Sequence, residues 1–310
     1  MSMRIEQHPG GHGNHGQLDS LHMEVRALST DMSIPDAPPA EIRFRRKVSV
    51  IGATRELYRA REFILALFER QLRSRYKQAF LGFAWAVIPT ITFMVVLTVF
   101  VQKAVKIPTN GVPYPLFSYV ALVPWTFFSA AVSGGAVSII GSLDILNKMY
   151  VPREVFPIST ILSSAVDALI SLVGLGILFG VYSWAPKPTS VWVPLLLFVQ
   201  MVLTLGVTLM MSAVVVYLRD LRHAIPVIVQ IGLFATPILY GIDQVPQSLR
   251  LAYCLINPLA PVIDGYRRTV ILGQSPEWAL LLPATAMSFV YLVLGFRLFK
   301  RLETGFTDIA

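Results

Sequence analysis

Asp167 is a lone carboxylate in a long, otherwise uncharged stretch of the sequence, which makes it a candidate for ion or substrate chemistry. At the centre of a bilayer a charged side chain costs at least about 2.5 kcal/mol, so it faces protein or water. Asp167 therefore lines a transport path or pairs with a polar group inside a helix bundle. Neighbouring hydroxyl residues, typical of close helix packing, favour the second interpretation and leave the first open. They are Ser159, Thr160, Ser163, Ser164 and Ser171.

Motifs of known catalytic sites are absent from the sequence. It contains no glycine-rich phosphate loop, no paired-histidine zinc motif and no nucleophile elbow. The single cysteine, Cys254, excludes an internal disulfide and gives no metal-ligand pattern. We therefore expect no catalytic residue, no metal and no cofactor in this chain, and any ATP would have to be bound by another subunit.

The elements that position Asp167 follow from the composition, which is 55% hydrophobic and 14% charged with a mean hydropathy of +0.62. Soluble domains carry about 25% charged residues. Here the sparse charges separate apolar blocks of about 20 residues or more, enough to cross a hydrocarbon core of about 30 Å as helices. An all-α integral membrane protein with six spans is predicted. The spans are residues 79–101, 116–140, 155–182, 191–217, 224–242 and 278–296.

Lys and Arg residues indicate the orientation of these spans. With both termini in the cytoplasm, the inner side receives more than twice as many of them as the outer side. This asymmetry also accounts for the net charge of +8 without a nucleic-acid partner. A multi-pass plasma-membrane protein with cytoplasmic N- and C-termini is predicted.

Apart from the loops between spans, the segments outside the spans are of three kinds. Residues 1–54, rich in His, Gly and Pro, predict a disordered tail, and a short C-terminal tail covers residues 303–310. Residues 55–78 place apolar residues on one helical face and mostly basic residues on the other, which predicts an amphipathic helix in the headgroup layer. A helix that packs on a partner protein is the alternative. The apolar segment within residues 246–275 is too short to cross and predicts a re-entrant or interfacial pair of short helices.

Two predicted cytoplasmic loops carry most of the remaining candidates. Such loops either anchor the topology or form a docking surface for a partner. The candidates in the first loop are Asn147, Lys148, Met149, Tyr150, Arg153 and Glu154, and those in the second are Arg219, Asp220 and Arg222.

Aromatic residues in the predicted spans are mostly expected to face lipid or to pack between helices. A subset is the candidate lining of a channel, where aromatic planes would stack on sugar rings. This subset is Phe80, Trp85, Phe93, Trp125 and Tyr240, to which Asp167 is added.

Several stretches, in this order, resemble the permease subunits of ABC-2 type polysaccharide exporters, which move lipid-linked O-antigen or teichoic acid across the plasma membrane. The resemblance covers roughly residues 57–300. It is carried by RYKQAFLGFAW at 75–85, KMYVPREVFP at 148–157, YLRDLRHAIP at 217–226, TPILY at 236–240 and NPLAP at 257–261 followed by Tyr266-Arg267.

This resemblance implies a six-span ABC-2 permease of the type V exporter kind, a homodimer with a channel at its interface. Two copies of a separate nucleotide-binding ATPase subunit would bind ATP and Mg and drive export of a lipid-linked polysaccharide such as O-antigen. The chain would then be a permease subunit of the cell inner membrane, and no enzyme. Residues 55–78 would be the interface helix, residues 144–154 the coupling helix and residues 246–275 an outer gate. The gate residues would be Asn257, Pro258, Pro261, Tyr266 and Arg267.

Two other functions stay open from the residues alone. An ABC-2 exporter of a drug or small lipid would share the fold, and an ion-coupled secondary transporter would use Asp167 as its coupling site. No inverted repeat in the sequence supports the second. A membrane glycosyltransferase is disfavoured, because there is no donor-site motif.

Overall fold

The structure is a computed structural model that describes residues 50–77, 84–104, 109, 111–146, 148 and 151–306. Within these ranges the chain is helical and contains no strand, which confirms the all-α prediction. The helices are α1 (Val50–Arg59), α2 (Arg61–Tyr76), α3 (Ala84–Ala104), α4 (Tyr114–Val137), α5 (Leu143–Leu146), α6 (Val155–Val181), α7 (Val193–Tyr217), α8 (Leu221–Ala235), α9 (Gln247–Ile256), α10 (Leu259–Arg267) and α11 (Trp278–Leu302).

Four helical segments are long and apolar enough to cross a membrane, and they make the chain a multi-pass membrane protein. The segments are α4, α6, residues 188–217, which end with α7, and α11. Residues 84–100 of α3 and the whole of α8 are shorter apolar helices. The described residues therefore support four of the six predicted spans directly.

The fifth predicted span, residues 224–242, differs most from the structure. Helix α8 ends at Ala235, where the chain becomes extended at Thr236, with φ −105° and ψ 146°. The cause is Pro237, because a proline disfavours helical backbone in the residue before it. The 15 residues of α8 rise about 22 Å, which is less than the thickness of a hydrocarbon core.

The amphipathic segment predicted at residues 55–78 consists of two helices that meet at Ala60. Helix α1 begins at Val50, inside the predicted tail, and α2 ends at Tyr76. Helix α2 packs on the start of α6, where the ring of Phe63 contacts that of Phe156 edge-on with centroids 6.5 Å apart. Its position at a membrane interface stays a prediction, and residue 78, like the tail residues 1–49 and 307–310, lies outside the described residues.

Helix α4 forms the centre of the core. Nearly all of its first half is buried, including Leu116, Tyr119 and Leu122. It contacts α3, α6, α7 and α8. The Tyr119 hydroxyl donates to the Ser171 carbonyl at 2.9 Å, which links α4 to the middle of α6.

Helices α7 and α11 cross with their backbones in contact. A Cβ atom added at Gly295 would lie 2.1 Å from the carbonyl oxygen of Gly206, so only glycine fits on α11 at this point. Small residues allow this close approach between membrane helices. At the starts of the two helices the rings of Trp192 and Trp278 pack edge-on with centroids 4.9 Å apart.

Candidate functional site

The first predicted cytoplasmic loop is only partly exposed. Lys148 is exposed, while Asn147, Met149 and Tyr150 lie outside the described residues. Arg153 and Glu154, which sequence reasoning assigned to contacts with an ATPase, point into the protein. Arg153 Nη1 donates to the carbonyl of Glu303, and Glu154 is 1% exposed and forms an ion pair with Lys300. Their side chains therefore contact the C-terminal segment of this chain.

Lys300 connects two carboxylates at the end of α11. Its ammonium also pairs with Glu303 at 2.8 Å, and the side chains of Lys300 and Glu303 are 12% and 22% exposed. Burial raises the pKa of the Glu303 carboxyl, the neighbouring Glu154 raises it further, and Lys300 opposes both. No local pattern in the sequence reveals that Lys300 pairs with Glu154, because the two residues are 146 positions apart.

The second loop joins α7 to α8 and is exposed. Arg219, Asp220 and Arg222 all have exposed side chains in the single chain, and Arg222 Nε donates to His223 Nε2 at 3.0 Å. Just before this loop the Tyr217 hydroxyl donates to the Leu302 carbonyl at 2.7 Å. The loop is accessible to a partner, and its base is tied to the C-terminal segment.

Asp167 lies against α2. Its carboxylate forms an ion pair with Arg75 and accepts a hydrogen bond from the Tyr76 hydroxyl. It is 23% exposed, and Arg75 is 41% exposed. The pair with a polar group is therefore present, and a channel role for Asp167 stays a prediction.

One turn earlier, a second set of polar contacts joins the same two helices. Gln71 Nε2 donates to Ser159 Oγ at 3.2 Å, and Ser163 Oγ donates to Gln71 Oε1 at 2.9 Å. Together with Asp167 these contacts form a polar seam between α2 and α6. The hydroxyl residues were identified from the sequence, but Gln71 was missed, because nothing local distinguishes it from a solvated side chain.

The aromatic candidates do not share one surface in the single chain. Trp85 on α3 is 57% exposed, and Phe93 is partly buried against the core. Trp125 is buried, packs on Phe128 with centroids 5.9 Å apart and lies under α8 beside Gly232. Phe80 lies outside the described residues, and the channel roles of this set stay predictions.

Helix α8 presents an apolar face that sequence reasoning did not single out. An open groove is lined by Pro226, Val227, Gln230, Ile231 and Phe234. Three of these side chains, Val227, Ile231 and Phe234, are about 60% exposed. Their spacing of four and three residues is the signal that could have revealed the face.

The predicted outer gate contains the most deeply buried cation of the described residues, Arg267, at 1% exposure. Its Nη1 donates to the carbonyls of Pro237 at 2.6 Å and Tyr240 at 2.8 Å, and its Nη2 donates to that of Ile238. Its Nε donates to the Phe117 carbonyl at 3.1 Å, and the guanidinium lies 3.8 Å from the centroid of the Phe117 ring. We call this set the Arg267 cluster.

Backbone carbonyls therefore surround the charge of Arg267, and the nearby Asp264 adds a favourable Coulomb interaction. Burial lowers its pKa to about 10, so it stays protonated at neutral pH. Asp264, one turn earlier on α10, is 7% exposed. Burial raises the pKa of its carboxyl to about 6. No ion pair to Arg267 is present within the described part of the chain.

The other gate candidates fix α10 to its surroundings. Asn257 Nδ2 donates to Thr236 Oγ1 at 2.9 Å, and Pro258 immediately precedes α10. Pro261 is buried within the helix. The Tyr266 hydroxyl donates to Gln200 Oε1 at 3.0 Å, and Gln200 Nε2 donates to the Pro124 carbonyl at 2.7 Å. The gate segment is thus hydrogen-bonded to α7 and, through α7, to α4.

Comparison with known proteins agrees with the motifs in the sequence. Residues 62–271 match the family model of the ABC-2 type transporter. The chain is 30% identical to the O-antigen export system permease protein RfbA of Myxococcus xanthus over 261 residues, covering 84% of this chain and 99% of that protein. It is 27% identical to an RfbA of Klebsiella pneumoniae over 250 residues, which cover 80% and 95% of the two chains. It is 24% identical to the polysialic acid transport protein KpsM of Escherichia coli over 246 residues, covering 77% and 92%.

Proposed function

Because this chain belongs to the ABC-2 type transporter family, we propose that it is the membrane-spanning subunit of an ATP-driven exporter of a lipid-linked polysaccharide. One observation carries the proposal: the similarity extends over almost the whole length of relatives named for O-antigen export and polysialic acid transport. Export runs from the cytoplasm across the cell inner membrane. ATP and Mg are bound by a separate ABC ATPase, of which two copies serve a homodimer of this chain.

Six spans complete the proposed subunit, with both termini in the cytoplasm. The two spans added to the four long ones are α3 and residues 224–242, where α8 is followed by the extended backbone at Thr236. Support comes from their exposed apolar faces, since Val95, Val99 and Ile228 are each about half exposed or more in the single chain. Lipid or a second subunit would cover such faces.

The channel is proposed to lie between two copies of the chain. The groove on α8 supports this arrangement, because a second subunit would bury Val227, Ile231 and Phe234. A long hydrated glycan does not fit a pocket that closes around its whole length. A continuous path between two separable subunits suits it better, and exposed Trp85 on α3 offers an aromatic plane for weak, repeated sugar contacts.

Energy for opening this path is proposed to enter through the two cytoplasmic loops. Lys148, Arg219 and Asp220 are exposed and offer charges to an ATPase surface. The polar seam between α2 and α6 would hold the amphipathic helix against the bundle during movement. An ion-coupled mechanism gains no support, because the Asp167 carboxylate is occupied by Arg75 and Tyr76.

Deletion of the gene in its native strain tests the substrate. We expect the long-chain surface glycan to disappear and undecaprenyl-type lipid-linked glycan to accumulate inside, with recovery on re-expression of the wild-type chain. An ATPase subunit that cannot hydrolyse ATP should reproduce the loss. Unchanged surface glycan together with new drug sensitivity would instead identify a drug exporter of the same fold.

A further inference from the structure

The C-terminal segment of the chain closes over the base of both cytoplasmic loops. Residues 303–305 form a 3-10 turn after α11, and Phe306 follows it. Phe306 is 1% exposed, and its ring packs on those of Phe299 and Tyr217 with centroids 5.8 Å and 6.1 Å away. The segment is therefore anchored in a hydrophobic cluster at the ends of α7 and α11.

Charges attach the same segment to the loop before α6. Lys300 lies between the carboxylates of Glu154 and Glu303, and Arg153 donates to the Glu303 carbonyl while its guanidinium lies 5.5 Å from the centroid of the Phe306 ring. Two cations and two anions are thus gathered in one small volume. We call Arg153, Glu154, Lys300 and Glu303 the Lys300 cluster.

Glu154 is placed to act inside the chain. At 1% exposure it cannot offer its carboxylate to the surface of another protein. Its Oε2 is buried and has no hydrogen-bond partner within the described residues. The contact of Oε1 with Lys300 therefore provides most of what balances the negative charge of this carboxylate. Removing one partner of a buried ion pair leaves an uncompensated charge, which is strongly unfavourable.

If the loop separated from Lys300, the buried Glu154 carboxylate would lose its counter-charge, so we expect the loop and Lys300 to move together. Tyr217 extends the connection to α7 through its hydrogen bond to the Leu302 carbonyl. We propose that residues 300–306 form a strut that transmits movement of the loop at Arg153 and Glu154 into α11 and α7. In this role Lys300 and Glu303 are positioning residues for transport. The inference rests on the proposed function, because an ATPase must supply the movement.

The test uses the complete transporter, purified with its ATPase and reconstituted in vesicles. Lys300→Met is compared with Arg297→Met, which removes an exposed cation one turn earlier on the same helix. Because hydrogen bonds between charged groups are strong, we expect Lys300→Met to lower export by about tenfold while ATPase recovery and ATP hydrolysis persist. Arg297→Met should export as the wild type does.

A double-mutant comparison shows whether the loss of export comes from breaking the contact between Glu154 and Lys300. Glu154→Gln and Lys300→Met should each lower export, and the double variant should lose no more than the worse single variant, because both remove one interaction. A double variant whose loss equals the product of the single losses would overturn the strut. Wild-type export by Lys300→Met, or loss of the ATPase from its complex, would overturn it as well.

Tyr217→Phe provides a second variant if Lys300→Met fails to reach the membrane. It removes only the hydroxyl that bonds to Leu302, at an exposed position. We expect about threefold lower export from the loss of one hydrogen bond, and wild-type export would contradict the strut. These results are separable from the proposed function itself, which fails if the wild-type chain brings down no ATPase.

Discussion

The Arg267 cluster and the Lys300 cluster each contain a buried cation, one at the end of α10 and one near the end of α11. The groups that surround the two cations differ in kind. Arg267 is surrounded by backbone carbonyls from residues 237–240 and from α4. Lys300 is held by two side-chain carboxylates. A carbonyl moves only with its chain and does not titrate, whereas a carboxylate can change rotamer or bind a proton.

On the proposed function, this difference suits an outer gate that keeps its shape at Arg267 and a strut that transmits movement at Lys300. At the Arg267 cluster one guanidinium fixes the backbone of the turn after α8 relative to α4 and α10. At the Lys300 cluster, separate segments are joined by side chains that can adjust as the segments move. A gate must return to one closed form, whereas a coupling region must follow its partner.

Arg267→Met should destabilise the protein more than any other variant in this comparison. It leaves the carbonyls of Phe117, Pro237 and Tyr240, among others, without their donor, and each unsatisfied buried group costs about 1–3 kcal/mol. We expect the free energy of unfolding to fall by more than about 4 kcal/mol. The fall would be seen as a lower unfolding temperature in detergent. Arg268→Met is the control, because its guanidinium is partly exposed and lies 3.7 Å from Glu277. Equal stability of the two variants would show that the carbonyls around Arg267 contribute no more than the partly exposed ion pair of Arg268.

Asp264→Asn tests whether Arg267 depends on a carboxylate. Burial raises the pKa of Asp264 from 3.8 to about 6, so the folded state binds its proton more tightly than the unfolded state. The stability from this proton is complete below pH 3.8 and is lost as the pH rises through 6. We therefore expect Asp264→Asn to stabilise the protein at pH 8 by up to about 3 kcal/mol, with no gain at pH 4.

Unfolding temperatures of wild type and Asp264→Asn across this pH range give the measurement. Destabilisation at pH 8 would show that the charge of Arg267 is balanced by Asp264 as well as by carbonyls. The two clusters would then be alike.

Asp167→Asn should change the stability least, because it removes an ion pair that is partly exposed. It shows how little such a pair contributes beside the buried clusters. Arg75 is 41% exposed, and pairs of this kind contribute about 1 kcal/mol or less. We expect faster hydrogen exchange in residues 61–76 and an unchanged unfolding temperature. Glu69→Gln, which removes an exposed pair with Arg73 within α2, should leave the exchange rates near those of the wild type. A large fall in unfolding temperature would place Asp167 in the same class as Lys300.

Much of the bundle could be predicted, because long uncharged stretches have one stable form in lipid. The second, third and fourth predicted spans end within about three residues of the observed helices, and α11 begins at the predicted Trp278. The end of α8 was placed too late, although Pro237 carried the signal. Helix α11 continues past the predicted residue 296 because Lys300 and Arg301 suit the last turn of a helix.

The pairings of charged residues could not be predicted, since they depend on how helices pack. Asp167 meets Arg75, 92 positions away, and Arg267 reaches Phe117 across 150 positions. Glu154 lies in a loop whose charges are typical of an exposed surface, yet α11 and the C-terminal segment bury it. Local composition predicts a charged loop but does not say which neighbour will cover it.

The backbone contact of Gly206 with Gly295 divides α11 into two unequal arms. From Gly295, Lys300 is about 7 Å away along the axis and Trp278 about 25 Å, at 1.5 Å per residue. If α11 tilts about this crossing as a rigid rod, the Trp278 end moves about three times as far as the Lys300 end and in the opposite direction. A displacement of one ångström at Lys300 would therefore become a swing of about three ångströms at Trp278.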